Sequence, residues 1–108
     1  MDKKKSKIIG QIRRFKKKLE KKFNIEKIIL FGSRARGDYK RDSDVDIIIV
    51  SKDFEKIPYL DRSRGLYIMW DLNYRVDILC YTPVEYRKLK QRTTVLKAAA
   101  KEGIEILN

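Results

Sequence analysis

The chain has 108 residues, no histidine, one cysteine, and 27 Lys+Arg against 15 Asp+Glu, for a net charge of +12. That length predicts one domain over residues 1–108 with one small core and no separate substrate lobe. Without histidine there is no Ser-His-Asp triad, no Cys-His dyad and no His-ligated zinc. Catalysis would fall to carboxylates, hydroxyls, Lys or Arg, or a metal held by oxygen. No run of about 18 apolar residues is present to span a membrane, and no apolar secretory leader opens the chain. A lone Cys80 fits a reducing compartment, so the expected location is cytoplasmic. The many Lys and Ile, with few Asn and Gln, resemble a thermophile's composition.

The charge is concentrated. Residues 1–22 hold 11 basic and 2 acidic side chains; the remainder is close to balance. Within that basic segment Ile8, Ile12, Phe15, Leu19 and Phe23 recur at helical spacing, predicting an amphipathic helix with Ser6 as N-cap and Asn24 as a left-handed stop. Lys27–Phe31 reads as a strand ending at Gly32. Val45–Val50, apolar on both faces beyond Asp46, reads as a central strand. Pro58 suits the first turn of a second helix reaching about Leu72. Arg75–Tyr81 reads as a third strand. Thr82-Pro83 opens a third helix, with a possible break at Thr93-Thr94 and a stop at Gly103. Ile104–Leu107 can add an edge strand. The order α-β-α-β-α-β-α describes a small sheet with helices packed on it.

The chemistry-bearing stretch is Gly32-Ser-Arg-Ala-Arg-Gly37, followed by Ser43-Asp-Val-Asp46. Gly32 and Ser33 stand where a strand gives way to a helical turn. Free backbone N–H groups and the Ser33 hydroxyl can meet a phosphate there. Asp44 and Asp46, at i and i+2 on a strand, point to one face about 7 Å apart at Cα. Carboxylates so placed can converge on a hard cation, Mg²⁺ or Mn²⁺. Asp77 interrupts an otherwise apolar strand. If that strand neighbours the second, Asp77 completes a three-carboxylate cluster. Two competing motifs fail on specifics. Gly32 to Gly37 has the frame of a P-loop, but Asp38-Tyr39 replaces its Lys-Ser/Thr. Asp42, Asp44 and Asp46 imitate the start of an EF-hand loop, whose required glycine is Ile47 here.

Gly-Ser, then Ser43-Asp-Val-Asp-Ile47 ten residues on, resembles the nucleotidyltransferase superfamily. It is most similar to the minimal nucleotidyltransferases, from the first helix through Gly103-Ile-Glu-Ile106. The resemblance implies an α/β (α+β) nucleotidyltransferase-like fold with a small mixed sheet. It also implies that Gly32 and Ser33 hold a nucleotide triphosphate, that Asp44, Asp46 and Asp77 bind Mg²⁺ or Mn²⁺, and that Asp77 helps activate the attacking hydroxyl. The implied chemistry is transfer of a nucleoside monophosphate, with ATP as substrate and pyrophosphate leaving. Minimal members are paired with a small all-helical HEPN protein, an RNase toxin. The nucleotidyltransferase acts as antitoxin, in some cases by adding AMP to a toxin tyrosine.

Around this site the sequence leaves alternatives open. Arg36 either touches phosphate or braces the loop; Arg34, Lys40 and Arg41 read as a general positive field. The basic first helix is a solvated face, or a contact for RNA or an acidic partner. Leu66–Trp70, Leu72 and Tyr74 are core in part, with the remainder available to a partner. Cys80 reads as a small buried apolar residue. Two further functions compete with catalysis: neutralisation of a partner by occlusion alone, and a basic RNA-interacting domain.

Overall fold

A computed structural model describes residues 3–107. Four strands order as β3-β2-β1-β4: β1 (Ile25–Phe31), β2 (Val45–Ser51), β3 (Val76–Tyr81) and β4 (Ile104–Glu105). β1 is antiparallel to β2 and β4, and β2 is parallel to β3, giving the mixed sheet expected. β2 is central, and Val45 and Ile47–Val50 are buried on both faces. Helices α1 (Lys3–Glu20) and α3 (Tyr59–Met69) cover one face, where Ile8, Ile12, Phe15, Leu19 and Leu66 meet Val45, Ile47 and Ile49. Helices α4 (Pro83–Leu89) and α5 (Thr94–Glu102) cover the other, where Tyr86, Leu96 and Ala99 meet Ile29, Ile48 and Val50. A single turn, α2 (Ser33–Arg36), follows β1.

Several boundaries differ from the sequence reading. Ser6 lies inside α1, because the Lys-rich start is good helix former and carries the helix back to Lys3. Asn24 takes no left-handed conformation; among the described residues only glycines have positive φ. Instead its N–H donates to Asp53 Oδ2 (2.7 Å), and its carbonyl accepts from Ser51 Oγ (2.8 Å). That tie joins the start of β1 to a 3₁₀ turn over Lys52–Lys56, which the sequence reading left out. Pro58 is the N-cap of α3 rather than its first helical residue, and α3 ends at Met69 rather than near Leu72. The physical reason is Trp70: its indole N–H donates to the Tyr74 carbonyl (2.8 Å), and its ring meets Phe15 edge-on at 5.0 Å.

The expected break in the C-terminal helix is real. Thr93 caps α5 by accepting from Leu96 N–H, while Thr82 and Glu85 form a reciprocal capping box on α4. Gly103 ends α5 with negative φ, so packing and not handedness selects glycine there. A Cβ would stand 2.6 Å from Ile29 Cγ2 and collide with the Ala99 carbonyl. β4 is shorter than Ile104–Leu107, but the Ile106 N–H still donates to the Ile28 carbonyl (2.8 Å). Part of the α1 charge is structural: Lys16 Nζ donates to the Ile106 carbonyl, Arg13 Nε to the Leu107 carbonyl, and Lys18 pairs with Asp71 at 3.1 Å. Cys80 is buried, and burial pushes its thiol up to about 12, consistent with an inert apolar role.

The α3–α4 junction depends on a residue without sequence signal, Arg62. Its buried guanidinium pairs with Glu85 through both ends and donates to the Ile57 and Cys80 carbonyls. The pairing with Arg62 holds the Glu85 carboxyl below its ordinary 4.5. A depressed carboxylate contributes stability above its unfolded pKa and loses it as pH falls through the folded one. Arg62→Met is expected to lower unfolding free energy by about 1.5–3 kcal/mol at pH 7, the worth of hydrogen bonds to a charged group. Urea titration should show that deficit shrinking once the pH is taken well below 4.5.

Candidate active site

Alternation along β2 sends Asp46 to the α4–α5 face, at the end of the sheet that these helices leave uncovered. The register then does the rest. Asp46 pairs with Asp77 across the parallel β2–β3 ladder and with Phe31 across the antiparallel β1–β2 ladder. The neighbouring strands that Asp77 required are therefore present, and the two aspartates share one face side by side. Asp44 precedes the strand, two residues from Asp46. Asp46 is half-buried and Asp77 exposed. The Asp46 carboxyl is raised above its ordinary 3.8, first by burial, then by the charges of Asp77 and Asp44, with Arg36 opposing.

Gly32 and Ser33 stand where the sequence placed them, between β1 and α2. Gly32 has φ 74° and ψ −159°, a region essentially open to glycine alone. A Cβ there would come within 3.2 Å of Asp46 Cγ and collide with the carboxylate oxygen. The turn and the carboxylate thus stand against each other, and glycine is required for both conformation and clearance. Gly37, φ 93°, closes α2 with its N–H donating to the Ser33 carbonyl. Arg36 is exposed, 3.3 Å from Asp38 and 4.0 Å from Glu102, which places it at the rim.

Among the described residues no three carboxylates are gathered into a ready-made metal shell. Like charges keep such side chains apart, and Arg75 Nε lies 3.2 Å from Asp44 Oδ1. That contact lacks hydrogen-bond geometry, so Asp44 Oδ1 is a buried oxygen with no hydrogen bond. Asp44 Oδ1, which Arg75 meets without a hydrogen bond, and Asp46, whose charge its neighbours disfavour, together offer hard oxygen donors that are not satisfied by hydrogen bonding. They fit a hard divalent cation.

Arg34 corrects the sequence reading. It is not part of a diffuse field but is 5% exposed. Its Nε and Nη2 donate to the Ser43 carbonyl (3.2 and 2.9 Å), and Nη2 also reaches the Arg41 carbonyl (3.4 Å). Arg34 therefore ties α2 to the residue just before Asp44 and fixes the Gly32–Ser33 turn relative to the carboxylates. Its guanidinium also lies 4.6 Å from the Tyr39 ring centroid and 5.0 Å from that of Tyr74. No sequence signal marks this role, because Tyr74 comes beside Arg34 only in the fold.

A family model described as a nucleotidyltransferase domain matches residues 12–106. A Methanocaldococcus jannaschii relative carrying a protein adenylyltransferase name is 34% identical over 101 residues, covering 92% of this chain and 98% of its own. The protein adenylyltransferase MntA of Thermococcus cleftensis is 44% identical over 66 residues, 59% of this chain and 64% of its own. Among solved structures, a Sulfolobus solfataricus nucleotidyltransferase aligns with TM-score 0.67 at 24% identity, covering 94% of this chain and 80% of that one. A toxin–antitoxin structure with AMP-PNP aligns with TM-score 0.57 at 23% identity, covering 93% and 73%. At these identities the solved structures share the fold.

The site is electrostatically unfavourable as built, which gives a sign that can be tested. Asp46 has a raised folded pKa, so the native state holds its proton more tightly than the unfolded chain. Its stability is full below 3.8 and falls as pH rises through the raised value. Asp46→Asn is expected to stabilise the protein by about 0.5–2 kcal/mol at pH 7, and Asp77→Asn by less. Urea unfolding should show the gain at pH 7 and its disappearance near pH 3.5.

Proposed function

Because the chain belongs to the nucleotidyltransferase family, we propose that it transfers AMP from ATP to a hydroxyl of a partner protein. In this reading it is the cytoplasmic antitoxin of a small helical HEPN-type RNase toxin, and residues 1–108 act as one catalytic domain. The observation that carries the reading is the pairing of Asp46 with Asp77 beside the Gly32–Ser33 turn. The protein adenylyltransferase names of the relatives support the acceptor class. The toxin–antitoxin structure that shares the fold supports the kind of partner.

Each residue then has a task. Ser33 donates its hydroxyl hydrogen bond to the triphosphate, and Gly32 lets the backbone approach it. Asp44, Asp46 and Asp77 would hold Mg²⁺ or Mn²⁺. When bound, such an ion supplies neutralisation of the carboxylates and polarisation of the phosphoryl oxygens. The acceptor oxygen attacks the α-phosphorus, an O–P bond forms, and the bond to the β-phosphate oxygen breaks with pyrophosphate leaving. No histidine exists to take the acceptor proton. Asp77, exposed and at the edge of the cluster, accepts it. Arg36, at the rim, adds positive charge where the leaving phosphates emerge.

Neutralisation by occlusion alone has one observation in its favour. On α3, Leu60 is 80% exposed and Ile68 85%, with Tyr59 and Tyr67 also partly exposed, while Leu66 of the same helix is core. An apolar helix face of that kind can hold a partner whether or not it is modified. The two readings separate in one experiment: incubate the protein with its toxin, Mg²⁺ and ATP, then weigh the toxin by intact mass spectrometry. Addition of one or more AMP units, absent with Asp44→Asn/Asp46→Asn, is the expected result. A silenced toxin of unchanged mass establishes occlusion instead, and AMP on RNA ends moves the acceptor to nucleic acid.

A further inference from the structure

Beside the Gly32–Ser33 turn, on the α4–α5 side of the sheet, lies a cavity of about 290 Å³. Phe31 and Gly32 form one wall and Val95, Ala98 and Ala99 of α5 the other. The cavity adjoins the candidate active site, because Gly32 borders both and Phe31 is the ladder partner of Asp46. Directly opposite residues of an antiparallel pair project to the same face, and Phe31 packs with the α4–α5 cluster. These walls are apolar, unlike the carboxylates next to them. Phe31 is half-buried, Ala98 is exposed and Val95 is 57% exposed. Neither helix formation nor the core accounts for Val95: β-branched residues are poorer helix formers than Lys or Glu, and its side chain lies outside the core. Ala98 and Ala99 are small, which leaves the room beside the turn. Arg36 and Glu102 stand at the edge, 4.0 Å from each other.

Given the transferase reading, on which this inference rests, we propose that the cavity seats the nucleoside of the donor triphosphate. The base lies against Phe31, Val95 and Ala98, and the phosphates reach back to Gly32 and Ser33. The sheet order decides which reactant the cavity takes. Asp46 is central, with Asp77 on its β3 side and Phe31 on its β1 side. An acceptor hydroxyl whose proton goes to Asp77 approaches from the β3 side. The β1–α5 side is then left to the part of the donor that stays on the α-phosphorus. Apolar walls with the Glu102 carboxylate at their edge suit an uncharged planar ring and not a polyphosphate. The volume is at the lower end for small-ligand sites, so it suits one base with its sugar. The seat draws on the apolar walls alone, and Arg36 keeps its contacts with Asp38 and Glu102. Holding this non-reacting part of the donor fixes the α-phosphorus for attack.

Calorimetry in Mg²⁺ tests this with two ligands: a non-hydrolysable ATP analogue, and inorganic tripolyphosphate, which has the phosphate chain without the nucleoside. Ala98→Leu fills the cavity from an exposed helix position, and Val95→Asn makes its wall polar without adding charge. Ala100→Leu, exposed on the same helix and outside the cavity lining, is the control. The expected result for Ala98→Leu is a loss of about tenfold or more in analogue affinity, the effect of a methylene-scale change in an apolar pocket. Val95→Asn should lose several-fold. Tripolyphosphate affinity should stay the same in both, and the control should bind both ligands as the unaltered chain does. Three results overturn the inference while the transferase reading stands. Unchanged analogue affinity in Ala98→Leu and Val95→Asn puts the nucleoside elsewhere. Equal losses for both ligands place the effect at the Gly32–Ser33 turn. Unchanged nucleotide affinity with slower AMP transfer to the partner gives the cavity to the acceptor. Binding of neither ligand in Mg²⁺ sinks the transferase reading and this inference with it.

Discussion

Parallel pairing of β2 with β3 sets Asp46 opposite Asp77, and everything distinctive about this protein follows from keeping those two carboxylates, and Asp44, at one end of a small sheet. The hydrophobic core makes the pairing unavoidable. β2 is buried on both faces, so a shift of one residue would send Asp46 into the α1–α3 core and Ile47 out of it. Arg62 and Glu85 then bind α3 to α4 across the end of β3, and the Thr82 capping box fixes where α4 begins. Packing far from the site thus determines which side chains meet in it.

The stability of that arrangement runs against its chemistry. Burial and two neighbouring carboxylates disfavour the charge on Asp46, and Asp44 keeps a buried oxygen with no donor. A sequence selected for stability alone would replace one of these residues. The fold tolerates the repulsion because the remainder of β2 is apolar and well packed, and because Arg36 and Arg75 stand near enough to moderate it. Gly32 belongs to the same compromise: its unusual backbone conformation exists where any side chain would strike Asp46. These three carboxylates and the glycine beside them are therefore kept at a free-energy cost that the core offsets.

Most of this was legible in the sequence for reasons that can be named. Helical spacing from Ile8 to Leu19, β-branched density in Val45–Val50, and Thr82-Pro83 are local signals, and local signals survive folding. The aspartate spacing and the Gly-Ser turn are short-range as well, and the fold brings the two together at one end of the sheet. What escaped notice was non-local. Asn24 is governed by Asp53 and Ser51, residues 27 or more positions away. Arg62 is governed by a carboxylate 23 residues on. Arg34 looked like one of several loop cations, and only the fold shows it buried between two tyrosines with its hydrogen bonds on the carbonyls before Asp44. Charged side chains are poor sequence signals because their partners, not their types, decide whether they are buried.

The claim on which the account rests is that the end of the sheet at Asp44, Asp46, Asp77 and the Gly32–Ser33 turn is one cation–phosphate site. Paramagnetic Mn²⁺ reports it directly, because relaxation enhancement falls off steeply with distance from the ion. With ¹⁵N-labelled protein and a non-hydrolysable ATP analogue, substoichiometric Mn²⁺ should selectively broaden the amides of residues 32–34, 44–46 and 77. Asp44→Asn/Asp46→Asn should abolish that effect. Broadening centred on the acidic residues Glu26 and Glu55 at the opposite end of the sheet, or spread evenly over exposed carboxylates, would contradict the account.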